Sequence, residues 1–295
     1  MPTLKLAHSP DADDAFMFFA LAEGRIDTAN RRYVHELADI ETLNQRALRG
    51  ELDITAVSFH AYAYLADQYL LLPSGGSVGD RYGPRLVSPR PRPEDPRGAL
   101  RGRRVAIPGR LTTAALALRL YQPDFEPVLT PFDHIEDRVL AGDVEAGLLI
   151  HEGQLTYAAR GLHLWVDLGE WWHGETWLPL PLGGNVVKRS LGDAVVRGVA
   201  ADLRASIAYG LSHREDALWY ALRFARGLDS LQADEFVGMY VNDFTLDYGE
   251  RGRAAIRALL QRASHAGIIP RDVAPAFVEP RAPNDALREA PARLS

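Results

Sequence analysis

The sequence predicts an α/β protein made of two lobes with a ligand cleft between them. Short apolar runs alternate with segments of helical apolar spacing, which indicates a mostly parallel sheet covered by helices. A segment at residues 89–96, with four prolines and many charges, interrupts this alternation once. The chain of 295 residues is also long enough for two domains of ordinary size.

The first alternation should form one lobe, with polar residues after its strands. In open α/β sheets, ligands bind at the carboxyl ends of the strands. Ser9, Asp11 and Asp13 precede or begin the first helix, where they either cap it or meet a ligand. Gly75 and Gly76 follow the fourth strand and either bring backbone close to a cavity or form a plain turn. The expected strands are 4–7, 33–37, 53–59 and 69–72, and the expected helices are 15–22, 39–48 and 61–67.

The second alternation contains two candidate functional positions. Thr112 and Thr113 open a helix after a glycine, so backbone N–H groups, the helix dipole and two hydroxyls could hold a carboxylate or phosphate. The alternative is an ordinary threonine N-cap. His151 follows a buried strand and is either a general base or a strand-end histidine bonded to a neighbouring loop. The expected strands are 103–107, 125–129, 146–150 and 164–168, and the expected helices are 114–121 and 135–140.

The rest of the sequence should return the chain to the first lobe. Residues 170–184 carry three tryptophans in a turn-rich crossing, whose rings either line a pocket for a flat ligand or pack between the lobes. Apolar spacing then predicts helices at 195–211, 217–224, 234–241 and 252–266. The expected division is a first lobe of 1–88 and 185–270, a second lobe of 103–175, crossings at 89–102 and 176–184, and a partly disordered tail at 271–295.

One lobe inserted in the other describes a periplasmic-binding-protein-like clamshell of the second type. Ser9, Ser58 and the Gly75–Gly76 pair would face the cleft from one lobe, and Thr112–Thr113 and His151 from the other. The net charge of -6 argues against a general nucleic-acid binder, and the absence of cysteine excludes disulfides and thiolate chemistry. No apolar run suggests a secretory signal or a membrane span, so we expect a cytoplasmic monomer or homodimer without a membrane partner.

Several motifs occur in the order seen in one known family. They are Ser9-Pro10 with Asp14 and Phe16, residues 39–44, Ser58 with Ala61-Tyr62, residues 74–76, Pro108-Gly109-Arg110 with Thr112-Thr113-Ala114, Gly147 with Ile150-His151-Glu152, residues 166–169 with Trp171-Trp172, and residues 178–183. Across roughly residues 4 to 270 the chain resembles the 1,4-dihydroxy-6-naphthoate synthase family, which acts in the futalosine route to menaquinone.

The resemblance implies a cofactor-free lyase that cleaves cyclic dehypoxanthinylfutalosine, a carboxylated small molecule, to 1,4-dihydroxy-6-naphthoate. The family's general base corresponds to His151. Its substrate-binding positions correspond to Ala56-Val57-Ser58 and Thr112-Thr113, and we expect Ser9, Asp14, Gly75, Gly76 and Glu152 to join them.

Two departures from the family pattern concern charge. The usual opening Ser-Pro-Cys-Pro-Asn-Asp-Thr-Phe reads Ser-Pro-Asp-Ala-Asp-Asp-Ala-Phe here, which adds Asp11 and Asp13. The usual Lys-Leu-Ser is replaced by Ala56-Val57-Ser58, which removes a partner for a carboxylate, and Arg110 is a candidate to replace it. Two alternatives remain open: a binding protein of the same fold without turnover, and the related chorismate dehydratase.

Overall fold

The computed structural model describes residues 3–224 and 229–279, and two mixed sheets organise this part of the chain. In the first sheet the order is β2-β1-β3-β11-β4, with β5 also paired to β11. β1 is parallel to β2 and β3, whereas β11 is antiparallel to all its neighbours. The strands are β1 (Thr3–His8), β2 (Arg32–Leu37), β3 (Ile54–Ser58), β4 (Tyr69–Leu71), β5 (Ser77–Gly79) and β11 (Leu180–Lys188).

The second sheet has the order β10-β6-β9-β7-β8. Its strand β7 is parallel to β8 and β9, and β6 is antiparallel to β9 and β10. The prediction of a mostly parallel sheet is therefore wrong, because β6 and β11, which lie next to the crossings between the sheets, run against their neighbours. The strands are β6 (Arg85–Ser88), β7 (Arg104–Ile107), β8 (Glu126–Leu129), β9 (Ala146–Leu149) and β10 (His163–Asp167).

Helices cover both sheets. Helix α1 is buried at nine of its eleven positions, because α9, α10 and α11 enclose it against the first sheet. The helices are α1 (Ala12–Ala22), α2 (Ile40–Leu48), α3 (Phe59–Leu65), α4 (Pro96–Ala99), α5 (Thr113–Tyr121), α6 (Ile135–Leu140), α7 (Gly153–Thr156), α8 (Leu168–Thr176), α9 (Asp193–Ser212), α10 (Arg214–Ala221), α11 (Ser230–Tyr240), α12 (Asp243–Leu246) and α13 (Gly249–His265).

The two crossings lie elsewhere than the sequence predicted. The sequence predicts residues 85–88 to lie in the first lobe, but they form β6 of the second sheet. The chain therefore crosses between Gly79 and Arg85. The return passes through α8 and joins the first sheet at Leu180. Residues 170–184 therefore form a helix and half of a nine-residue strand rather than a turn-rich segment. Their indoles do not line the cavity between the sheets: Trp172 is fully buried in the core, Trp171 packs against Tyr121, and Trp177 is 77% exposed.

The outgoing and returning chains touch through two glycines. A Cβ on Gly169 would lie 1.9 Å from the carbonyl oxygen of Tyr82, and one on Gly83 would lie 2.9 Å from the Gly169 nitrogen. The Leu168 N–H donates to the Pro84 carbonyl oxygen at 3.0 Å beside this contact. Only glycine permits backbones to approach this closely.

The residues after α13 do not leave the fold at once. Phe277 forms a β-bridge with Leu71, and the Ala276 N–H donates to the Tyr62 hydroxyl at 3.0 Å. The predicted tail thus begins as a segment packed along β4, and its residues 280–295 lie outside the described part of the chain.

Candidate functional site

A cavity between the two sheets contains most of the residues that the sequence predicted. It encloses about 770 Å³ of empty space, a figure that includes open solvent at its mouth. Among the described residues, Gly76, His151 and Glu152 are the predicted ones that lie outside the lining. The predicted residues that line it are Ser9, Asp14, Ala56, Val57, Ser58, Gly75, Thr112 and Thr113.

Ser58 lies at the carboxyl end of β3, held by a residue of α2. Its backbone N–H donates to the Asn44 Oδ1 at 2.9 Å, and the Asn44 Nδ2 donates to the Ser58 Oγ at 3.2 Å. Because that oxygen acts as an acceptor here, the hydroxyl proton can be donated to a ligand. On the neighbouring strand, Gly183 and Asn185 pair with Ser58 and Ala56 and extend the same wall.

The two threonines begin α5 as predicted, but the protein itself uses their hydroxyls. Thr112 caps the helix, since its Oγ1 accepts from the Ala115 N–H at 3.2 Å and donates to the Gly109 carbonyl at 3.0 Å. The Thr113 Oγ1 donates to the Leu182 carbonyl at 2.5 Å and accepts from the His60 N–H at 3.3 Å. The plain N-cap interpretation is therefore correct for Thr112, whereas the Thr113 hydroxyl bonds to backbone groups of β11 and α3. The first-turn N–H groups of Thr113 and Ala114, which an α-helix leaves without internal partners, remain as donors at the cavity.

Three carboxyls at the start of α1 face the cavity. The Ser9 N–H donates to the Asp14 Oδ2 at 2.8 Å, and the Ser9 hydroxyl donates to the Asp11 Oδ2. Burial, reinforced by the charge of Asp11, raises the pKa of Asp13 to about 7. Burial and the charge of Asp13 also raise the pKa of Asp14 well above its usual value. Protons held by this cluster at neutral pH can thus be donated to a ligand.

The cavity carries acids without facing cations. Within the part of the chain that the structure describes, no Arg, Lys or His side chain lines it. Arg110, the candidate replacement for the missing lysine, is exposed to solvent and lies outside the lining. A ligand carboxylate must therefore rely on backbone N–H groups and hydroxyls rather than on an ion pair.

His151 follows β9, is 8% exposed and has both ring nitrogens bound to backbone. Its Nδ1 accepts from the Gly153 N–H at 2.9 Å, and its Nε2 lies 2.7 Å from the Phe132 carbonyl oxygen. Ile150 and Gln154, on either side along the chain, do line the cavity. A general base needs one ring nitrogen held by a neighbour and the other free to reach the ligand. In this conformation Nε2 is held by Phe132, but Nδ1 is occupied by Gly153 and does not reach the cavity.

The two glycines after β4 serve different purposes. Gly75 lines the cavity at φ +84°, where a side chain would be strained and would also meet the Asn185 amide at 2.5 Å. Gly76 instead lies under the buried ring of Tyr248. A Cβ on Gly76 would lie 2.3 Å from the nearest carbon of that ring. Glu152, also predicted at the site, is buried outside the lining.

Sequence reasoning missed, among others, two buried amides of the lining. Gln154 and Asn185 are 0% and 1% exposed, and the Gln154 Nε2 and the Asn185 Oδ1 have no hydrogen-bond partner among the described residues. No sequence signal separates such amides from surface ones, because their role depends on which strand and helix ends the fold brings together.

Within residues 3–224 and 229–279, no group of three or more His, Cys, Asp or Glu is arranged to hold a metal ion. No helix in these ranges has the length and apolar character needed to cross a bilayer.

Comparison with solved structures supports the fold. The chain superimposes on the crystal structure of a protein of Archaeoglobus fulgidus with a TM-score of 0.86 and 46% identity, covering 90% of this chain and 98% of that one. It also matches the alkanesulfonate-binding protein of Xanthomonas axonopodis pv. citri with a TM-score of 0.69 at 14% identity, covering 95% and 98% of the two chains. The latter shows the fold alone, and the predicted periplasmic-binding-protein-like class is confirmed.

Sequence comparison identifies the family. The chain is 42% identical over 278 residues to the 1,4-dihydroxy-6-naphtoate synthase of Thermus thermophilus, covering 94% of this chain and 100% of that one. It is 43% identical over 274 residues to the synthase of the same name from Streptomyces coelicolor, covering 91% and 95%. A family model described as menaquinone biosynthesis matches residues 4–265. The chain therefore belongs to the menaquinone biosynthesis family that includes these synthases.

Proposed function

We propose that this protein is a lyase that converts cyclic dehypoxanthinylfutalosine to 1,4-dihydroxy-6-naphthoate. The observation that carries the proposal is the 42% identity to a named synthase over the whole of that relative. The cavity is consistent with it, because it combines apolar walls with donors and acids at helix and strand ends.

The substrate is proposed to lie with its ring system between apolar walls from both sheets. Ile40 and Leu182 belong to the first-sheet side and Ile150 to the second-sheet side. The first-turn N–H groups of α5, near the positive end of its dipole, would hold the carboxylate. The Ser58 hydroxyl would add a donor. These contacts replace the ion pair that the cavity lacks.

His151 is the proposed general base. Proton abstraction next to the substrate ketone would leave an enolate, which backbone N–H groups stabilise. Collapse of the enolate would break the bond to the sugar-derived fragment, which departs with the electron pair and takes a proton. This acid–base sequence needs no cofactor. For His151 to act, its Nδ1 must exchange the Gly153 N–H for the substrate proton, while the Phe132 carbonyl keeps hold of Nε2–H.

Asp13 and Asp14 are the competing proton acceptors, because they already line the cavity. Burial and the neighbouring carboxylates raise both pKa values and so favour the protonated form, which can donate a proton but cannot accept one. We therefore assign them the protonation of the departing fragment.

The test is incubation of the purified protein with cyclic dehypoxanthinylfutalosine, with chorismate as a parallel substrate, followed by product identification by mass spectrometry. We expect naphthoate to form from the futalosine derivative and no product to form from chorismate. Dehydration of chorismate instead would replace the proposal with the related dehydratase. Saturable binding with no product from either compound would indicate a binding protein.

A further inference from the structure

Gln154 is a buried amide whose two ends have different surroundings. It lies in α7, and its Oε1 accepts from the Tyr240 hydroxyl at 2.9 Å. Its backbone carbonyl accepts from Arg85, so main chain and side chain are both held. Its Nε2, in contrast, has no partner among the described residues, although the side chain is 0% exposed and lines the cavity.

An amide N–H that is buried without a partner is unfavourable, and native proteins contain few of them. Here the unfavourable group is maintained by a specific anchor on α11. Burial raises the pKa of the Tyr240 hydroxyl, so the phenol stays protonated and keeps donating to the Oε1. The anchor thereby occupies the Oε1 end of the amide, and the Nε2 is the end left to bond to a ligand in the cavity that Gln154 lines. A ligand oxygen would satisfy that end.

The position of Tyr240 indicates which part of a ligand lies there. Helix α11, which ends at Tyr240, packs against α1 and β5, and Ser77 of β5 donates to the Asp13 Oδ2 of α1 at 3.3 Å, so Tyr240, Ser77 and Asp13 line the same part of the cavity. Gln154 therefore works near the acidic end of the cavity, where a ligand carboxylate would be repelled by any ionised carboxyl. A neutral hydroxyl or carbonyl oxygen would not be repelled, and it could also bond to a protonated carboxyl.

We propose that the Gln154 Nε2 donates a hydrogen bond to a neutral oxygen of the sugar-derived part of the substrate, and so positions the fragment that leaves. The inference rests on the proposed lyase function, since it assigns a contact to that substrate. It divides the cavity into a carboxylate end at α5 and a hydroxyl end at Gln154 and Asp13.

The experiment compares Gln154→Met, Tyr240→Phe and the double variant with the wild type. Methionine keeps the volume but removes the amide, and the double variant also removes the phenol that would lose its acceptor. For each protein, calorimetry gives the affinity for 1,4-dihydroxy-6-naphthoate, which lacks the sugar-derived part. The affinity for the cyclic substrate is measured with each change placed in the His151→Ala background, where turnover should be slow. Turnover is recorded in parallel.

Both variants without the amide should bind the substrate about 10-fold more weakly, as expected for one lost hydrogen bond, with unchanged affinity for the naphthoate. Recovery of substrate affinity in the double variant would show that Gln154 only supports Tyr240, and would overturn the proposal. An equal loss for the naphthoate would overturn it too. If the wild type binds the substrate without converting it, the lyase proposal fails, but the measured affinities still test whether Gln154 bonds to the sugar-derived part. If it does not bind the substrate at all, both fail.

Discussion

The Nε2 of His151 lies 2.7 Å from the carbonyl oxygen of Phe132, and this contact fixes which ring nitrogen carries the proton. The Gly153 N–H can only donate, so the Nδ1 that faces it must be unprotonated. The Nε2 of the neutral ring therefore bears the proton and donates it to Phe132. The ring is held in the tautomer whose lone pair is on Nδ1, and this lone pair is the one that a base would use.

Replacing His151 with Ala should lower kcat by about 10²–10⁴-fold, because the proton acceptor is lost. KM should change little, since the ring is not part of the cavity lining. The melting temperature should fall, because two backbone groups lose a bond to the ring, each contributing about 0.5–1.5 kcal/mol. Steady-state kinetics well below the melting temperature provide the measurement. Near wild-type kcat at that temperature would rule out His151 as the base and direct attention to Asp13 and Asp14, which line the cavity.

Asp13→Asn should stabilise the protein at high pH and not at low pH. The pKa of Asp13 rises from 3.8 to about 7 on folding, mainly through burial, so the folded state binds a proton that the unfolded state releases. Stability is therefore lost as pH rises from about 4 through 7, by roughly 1.4 kcal/mol per pKa unit at most. The variant should melt several degrees above the wild type at pH 8 and close to it at pH 4. A difference in melting temperature that is the same at both values would contradict the raised pKa.

Thr113→Pro tests the carboxylate site on α5, with Thr113→Val as the matched control. Both changes remove the hydroxyl, but only proline removes the N–H at the first helical position, where its ring is well tolerated. Thr112 is already extended, at φ -68° and ψ 145°, as a residue before proline requires. Proline should therefore weaken naphthoate binding about 10-fold more than valine does, in a calorimetric titration. Equal affinities for the two variants would place the carboxylate elsewhere.

Gly76→Ala should destabilise the fold by about 1–3 kcal/mol, because its Cβ would overlap the buried Tyr248 ring. Gly174→Ala in α8 is the control: its Cβ would meet nothing within 4 Å, and the lost flexibility should stabilise the helix by about 0.5–1 kcal/mol. Chemical denaturation measures both. Similar effects of the two changes would show that the Tyr248 ring moves aside.

Much of the fold could be predicted from apolar periodicity, and its failures have physical reasons. Strands β1 to β4 and β7 to β10 lie within two residues of their predicted bounds, because buried runs between polar residues are unambiguous. Strands β5 and β6 were missed because glycines and prolines flank both of them, a pattern that indicates turns and connections. Strand β11 was missed altogether because the glycines and prolines of its first half indicate turns, and only pairing with β3 and β5 makes them part of a strand.

The site was predictable where it depends on strand and helix ends, and not where it depends on orientation. Ser58 and Thr113 lie at the cavity because chain order alone puts the end of β3 and the start of α5 there. That the Thr113 hydroxyl turns to the Leu182 carbonyl is set by β11, which no local pattern indicates. Gln154 is recognised only through Tyr240, 86 residues away along the chain.

The hydrogen bond between the Leu168 N–H and the Pro84 carbonyl joins the two points where the chain enters and leaves the second sheet. Everything between them is one continuous stretch whose ends are neighbours in space, which is the condition under which one domain can be inserted into another. This stretch can therefore be exchanged as a cassette between relatives, with Gly83 and Gly169 retained on the recipient side of each junction or replaced as a pair. Recombination at these two splice points leaves the acids of α1 in place while α5 and Gln154 change together.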